Sequence, residues 1–148
     1  MKTWQNTTVA LALAMLVSGC AVDESSVFQP KPLEYLKEVP ASEQSKKLDA
    51  DLTAFVRDQY AIRSVHYYEV SGEIPWIAIS KSVQNQMAEK SFQRKTFEWW
   101  EPGIDFVEVY PQGTQGDAFA LAMPKNTRSS ANKLVGFYIL KSPSGAKP

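Results

Sequence analysis

The chain has one cysteine and one histidine in 148 residues, and its 16 basic side chains are balanced by 16 acidic ones. A single thiol, Cys20, rules out an internal disulfide and a thiolate metal cluster. A lone imidazole, His66, leaves a metal site without its usual partners, because Glu69 falls on the opposite face of an alternating strand. Net neutrality argues against the basic face of a nucleic-acid binder and against a polybasic grip on anionic lipid. The seven glycines form no phosphate loop, dinucleotide fingerprint or G-x-S-x-G elbow. There is no repeat at a solenoid period. No apolar run approaches the roughly 20 residues that a spanning helix needs. No metal and no cofactor are expected.

The apolar residues are concentrated first near the start. Lys2 precedes the uncharged stretch Val9 to Val17, and Leu16-Val17-Ser18-Gly19-Cys20 closes it. Such a stretch reads as a cleavable export signal. Val17 as the aliphatic residue, Ser18 and Gly19 as the small ones and Cys20 as the acceptor resemble the lipobox of bacterial lipoprotein precursors. The resemblance implies cleavage after residue 19 and acylation of Cys20 with diacylglycerol and a further fatty chain such as palmitate. Two or three chains make a stable membrane anchor where one is marginal. Ala21 after the cysteine implies sorting to the outer membrane, with the domain in the periplasm or presented at the cell surface.

Residues 20–40 carry Pro30, Pro32 and Pro40, mixed charge and no sustained period. They read as a flexible tether, with a reach of roughly 60 Å at full extension. The alternative is an extended strap docked through Val27, Phe28, Leu33, Tyr35 and Leu36. Residues 41–141 then form a single domain, and 142–148 a frayed tail.

The expected fold class is α+β, an N-terminal amphipathic helix packed on an antiparallel sheet of about five strands. The helix runs from about Ser42 to Tyr60, with Ser42 as N-cap and Leu48, Leu52, Phe55 and Val56 on one stripe. Strands are expected over Val65 to Val70, over the apolar run Ile74 to Ile79, and over Phe92 to Trp100. The last turns at Glu101-Pro102-Gly103 into Ile104 to Tyr110, where Ile104, Phe106 and Tyr110 share a face. A second hairpin follows the turn at 111–116, with Phe119, Leu121 and Met123 opposite a row of alanines. Leu134 to Leu140 returns as a buried strand, and Gly136 within it marks a bulge or a close contact.

No catalytic residues are expected. The candidate binding residues are Trp99, Trp100 and Tyr110 of the aromatic hairpin, with Lys125 and Arg128 of the basic loop 124–133. Tyr, Trp and Arg dominate binding hot spots. The expected function is therefore a membrane-anchored periplasmic lipoprotein that binds an envelope protein without catalysis, as an assembly or scaffold component or as an inhibitor or immunity factor. The alternative is a cell-wall glycan binder or envelope hydrolase using the Trp99/Trp100 hairpin with Glu98 or Glu101, since acids beside tryptophans are found in glycosidase sites.

Overall fold

Two helices lie on opposite faces of one five-stranded sheet in the computed structural model, which describes residues 27–113, 116–125 and 131–143. In chain order the elements are β1 (Lys37–Val39), α1 (Glu43–Val56), a 3₁₀ turn (Arg57–Gln59), β2 (Ala61–Ser71), α2 (Trp76–Glu89), β3 (Ile104–Gln112), β4 (Asp117–Pro124) and β5 (Asn132–Lys141). The strands are ordered β1-β2-β5-β4-β3 and every pair is antiparallel. The expected class, α+β with five antiparallel strands, is the class observed. The signal, Cys20 and residues 21–26 lie outside the described residues, as do 144–148 of the tail.

The faces follow from alternation along the central strands. Phe119, Leu121 and Met123 of β4 join Val135, Phe137 and Ile139 of β5 under α2. Ala118, Ala120 and Ala122 join Leu134, Tyr138 and Leu140 under α1. Alanines on that face let Leu48, Leu52, Phe55 and Val56 of α1 come close enough to be 0–2 % exposed. Ser42 caps the helix, since its hydroxyl accepts the Ser45 N–H at 3.2 Å while Ser45 Oγ accepts the Ser42 N–H at 2.7 Å. Asp49 fastens the helix to the sheet by accepting the hydroxyls of Tyr67 (2.6 Å) and Tyr138 (2.9 Å).

Three local expectations change. Ile74 to Ile79 is not a strand, since Trp76 already opens α2 with Pro75 as its N-cap. A short apolar run is ambiguous by period, and the longer pattern Ile79, Val83, Met87 is the buried helical stripe. Phe92 to Trp100 is irregular, so β3 pairs with β4 alone in the sheet. The Glu101 turn does form, with Ile104 N–H bonded to Glu101 O at 3.1 Å, but it introduces β3 rather than closing a hairpin. Finally, Ile104 packs on the α1 face, away from Phe106 and Tyr110, because the register slips between Ile104 and Phe106.

Residues 27–40, expected as the distal part of the tether, are docked. Val27 and Leu36 are buried, Phe28 and Leu33 pack on the α2 core, and β1 adds a short edge strand to β2. The strap alternative describes this stretch, except that Tyr35 is 42 % exposed. Two glutamine side chains hold its backbone. Gln112 accepts the Phe28 N–H at 2.6 Å and donates to Phe28 O at 2.8 Å, and Gln86 does the same to Lys31 at 2.7 and 3.1 Å.

Candidate functional site

The segment between α2 and β3 wraps the outer edge of the sheet from one helical layer to the other. It folds back at once, with Phe92 N–H bonded to Met87 O at 2.9 Å and Ser91 at φ 62°. Phe92 stays with the α2 core. At the edge, Lys95 N–H donates to Val109 O of β3 at 2.7 Å, which blunts a strand otherwise open to pairing. Beyond it, Phe97 and Trp99 reach the α1 layer. The Phe97 ring lies 4.7 Å from that of Phe55, and Trp99 donates its indole N–H to Phe55 O at 2.7 Å. The Arg57 guanidinium lies 4.3 Å above the Trp99 ring. Arg57 reaches that place from φ 52°, a region that side-chain-bearing residues rarely adopt and that concentrates at functional sites.

Between the end of α1 and this segment is a cavity of about 220 Å³, lined among others by Phe55, Arg94, Lys95, Phe97 and Trp100. Trp100 stands at its mouth, edge-on to Phe55 at 5.9 Å and 53 % exposed. Lys95 Nζ lies 5.4 Å from the rings of both Tyr60 and Phe97 and donates to the Gln59 side-chain carbonyl. Cations over aromatic faces are attracted by the ring quadrupole, so the two residue types stabilise each other here. The lining contains two cations and no carboxylate. Glu98 is exposed and Glu101 half-buried, and neither lines the cavity.

Behind the cavity Glu108 is 4 % exposed and accepts from Ser80 Oγ (2.5 Å), Arg94 (3.3 Å) and, at its other oxygen, the Tyr110 hydroxyl (2.8 Å). A buried carboxylate is tolerable only with such partners. It links α2, β3 and the wrapping segment, and so holds Arg94 at the cavity. Neither its burial nor its donors follow from the sequence, and the only signal was an acid between Phe106 and Tyr110 on an apolar face.

The candidate residues therefore separate. Trp100 is a surface residue of the cavity, whereas Trp99 is half-buried structure beneath Arg57. Tyr110 is a correction: it is 2 % exposed in the α2 core, and its hydroxyl is engaged by Glu108. Burial, then the neighbouring Glu108 charge, push its hydroxyl pKa upward. Lys125 is exposed at the end of β4 and lines a different depression with Lys47 and Gly103. Arg128 lies outside the described residues. Phe97 belongs to the same aromatic run as Trp99 and Trp100 and lines the cavity with them, whereas Arg94, Lys95 and Phe55 have no signal in the sequence, because only the fold brings α1 to the wrapping segment. His66 is an exposed residue bonded through Nδ1 to Glu38 at 2.8 Å. Among the described residues no group of three or more His, Cys, Asp or Glu is placed to hold a metal, and no helix is long and apolar enough to cross a membrane.

Comparison of the chain with protein-family models, with curated proteins and with solved structures gives no match.

Proposed function

We propose that the chain is a lipoprotein of the bacterial envelope, anchored in the outer membrane through acylated Cys20, whose periplasmic domain binds another protein without catalysis. The observation that carries the binding role is Trp100, a half-exposed indole at the mouth of a cavity bordered by Arg94 and Lys95. Tryptophan is enriched among the residues that anchor protein interfaces, and this one stands beside an ordered aromatic cluster. The competing reading, a wall-glycan binder or hydrolase, is favoured by the same indole as a stacking surface. Hydrolysis would need two carboxylates across the cleft, and the lining supplies none.

The docked strap bears on the anchor. Only residues 21–26 separate Cys20 from buried Val27, a reach of about 20 Å at full extension. The domain then works close to the bilayer, where confinement raises its effective concentration toward a membrane-bound partner.

Capture from detergent-solubilised envelopes tests the binding role. The full chain should retain one specific protein that its Trp100→Ala variant loses. Retention of none, or co-sedimentation with wall sacculi that Trp100→Ala abolishes, would contradict it. For the anchor, Cys20→Ser should leave the domain folded and release it from the membrane fraction.

A further inference from the structure

We infer that the occupant of the Trp100 cavity is an extended acidic peptide segment, which buries one large apolar side chain against Phe55, Phe97 and Trp100 and sets a carboxylate against Lys95 and Arg94. This rests on the protein-binding reading of the cavity and adds the chemistry of what it binds.

Size is the first argument. A space of about 220 Å³ is smaller than the 300–1,000 Å³ typical of small-molecule sites and suits one aromatic or branched side chain. The rings of Phe55, Phe97 and Trp100 line one part of it and Arg94, Lys95 and Thr96 another, so an entering group packs an apolar side chain on the rings and turns a polar one to the cations. Charge is the second. Lys95 and Arg94 are consecutive cations at the rim, and Glu108 behind the cavity pairs with Arg94 at 3.3 Å. Lys95 bonds a neutral amide, and the Arg94 side chain is 55 % exposed with Glu108 at one of its nitrogens. A carboxylate brought to these two groups forms charge-assisted hydrogen bonds with donors already held in place.

The backbone is the third argument. Among the described residues the main-chain N–H groups of Thr96, Phe97, Glu98 and Trp100 meet no acceptor. Thr96, Phe97 and Trp100 are among the residues that line the cavity, and the carbonyls of an extended peptide are acceptors for such groups. A sugar would place hydroxyls against rings and amides and would draw little from two cations. A phospholipid head group would use the cations but leave the rings of Phe55, Phe97 and Trp100 unused.

Calorimetric titration of the full lipidated chain in detergent micelles tests this. The probes are three end-blocked pentapeptides with a central phenylalanine flanked on both sides by glutamate, by glutamine or by lysine. The glutamate peptide should bind at least tenfold more tightly than the glutamine one, and the lysine peptide least. Lys95→Gln should weaken the glutamate peptide about tenfold, and Trp100→Ala about thirtyfold. Trp100→Tyr, which keeps a ring, should restore most of the binding and shows that loss in the alanine variant is not unfolding. Equal affinity for all three peptides would overturn the acidic preference while leaving the cavity a protein site. Glutamate-peptide binding untouched by Trp100→Ala would overturn the site itself. Failure of every peptide, with or without binding of anionic phospholipid vesicles or sacculi, would overturn the peptide inference.

Discussion

The side-chain amide of Gln112 pairs with the backbone of Phe28 in both directions, accepting its N–H at 2.6 Å and donating to its carbonyl at 2.8 Å. An amide side chain thus plays the part of a neighbouring strand, 84 residues away in sequence. Gln86 repeats the device at Lys31 on the exposed side of α2. Gln112→Ala removes both bonds at a site that is 7 % exposed, and each is worth about 1 kcal/mol. The strap should detach before the rest of the domain unfolds. Hydrogen exchange at Phe28 and Lys31 should accelerate strongly, while exchange in β4 and β5 stays near its original rate.

Gly136 lies beneath the ring of Tyr138, on the α1 face of β5. A Cβ placed there would meet Tyr138 Cε2 at 2.3 Å, and that ring is wholly buried with its hydroxyl fixed on Asp49. The ring cannot yield without losing the bond. Gly136→Ala should therefore destabilise the domain by about 1–3 kcal/mol, as overpacking of a core does. Urea denaturation would show a lower midpoint with little change in slope.

The two buried tyrosines bonded to Asp49 give the fold a dependence on alkaline pH. Burial first, and then the Asp49 hydrogen bond and charge, raise the Tyr67 hydroxyl pKa from 10 to about 12. The Tyr138 hydroxyl is displaced in the same direction by burial and then by Asp49. Above pH 10 the unfolded chain releases these protons while the folded chain keeps them, so stability falls as pH rises. The contribution is fully present below pH 10 and is lost as pH climbs through about 12 for Tyr67. Denaturation midpoints measured from pH 8 to 12 should decline, and Tyr67→Phe should flatten the decline at the cost of about 1 kcal/mol at neutral pH.

Adjacent tryptophans should behave oppositely. Trp99→Ala removes a hydrogen bond to Phe55 O and the ring beneath Arg57, so it should lower thermal stability by several degrees. Trp100→Ala removes a half-exposed ring and should leave the melting temperature within a degree or two while weakening peptide binding about thirtyfold. Paired melting and binding curves separate the two roles.

Alternation made β4 legible, because its two faces differ in size all along, with Phe119, Leu121 and Met123 against three alanines. It also revealed most of β3, while β5 is legible as the continuous apolar run Leu134 to Leu140. It failed at Ile74 to Ile79, where strand and helix give the same short apolar run and only Val83 and Met87 decide. Phe92 to Trp100 misled for a related reason. Its aromatics serve different layers as the segment rounds the sheet edge, so β propensity there reports packing rather than pairing. The cavity was half legible. Trp99 and Trp100 drew attention, but the helix end that supplies Phe55 lies 44 residues from Trp99. The strap is legible only as an alternative to a tether, because its hold depends on Gln86 and Gln112, whose partners no local pattern reveals.

The most direct test of the binding role uses the anchored protein in its own envelope. A photo-cross-linking benzophenone amino acid is placed at Trp100, and in a second protein at Ile77, which is 57 % exposed on the opposite helical layer. Illumination should give one discrete protein adduct from position 100 and none from position 77. Identical products from both positions, or no protein adduct from position 100, would contradict the account.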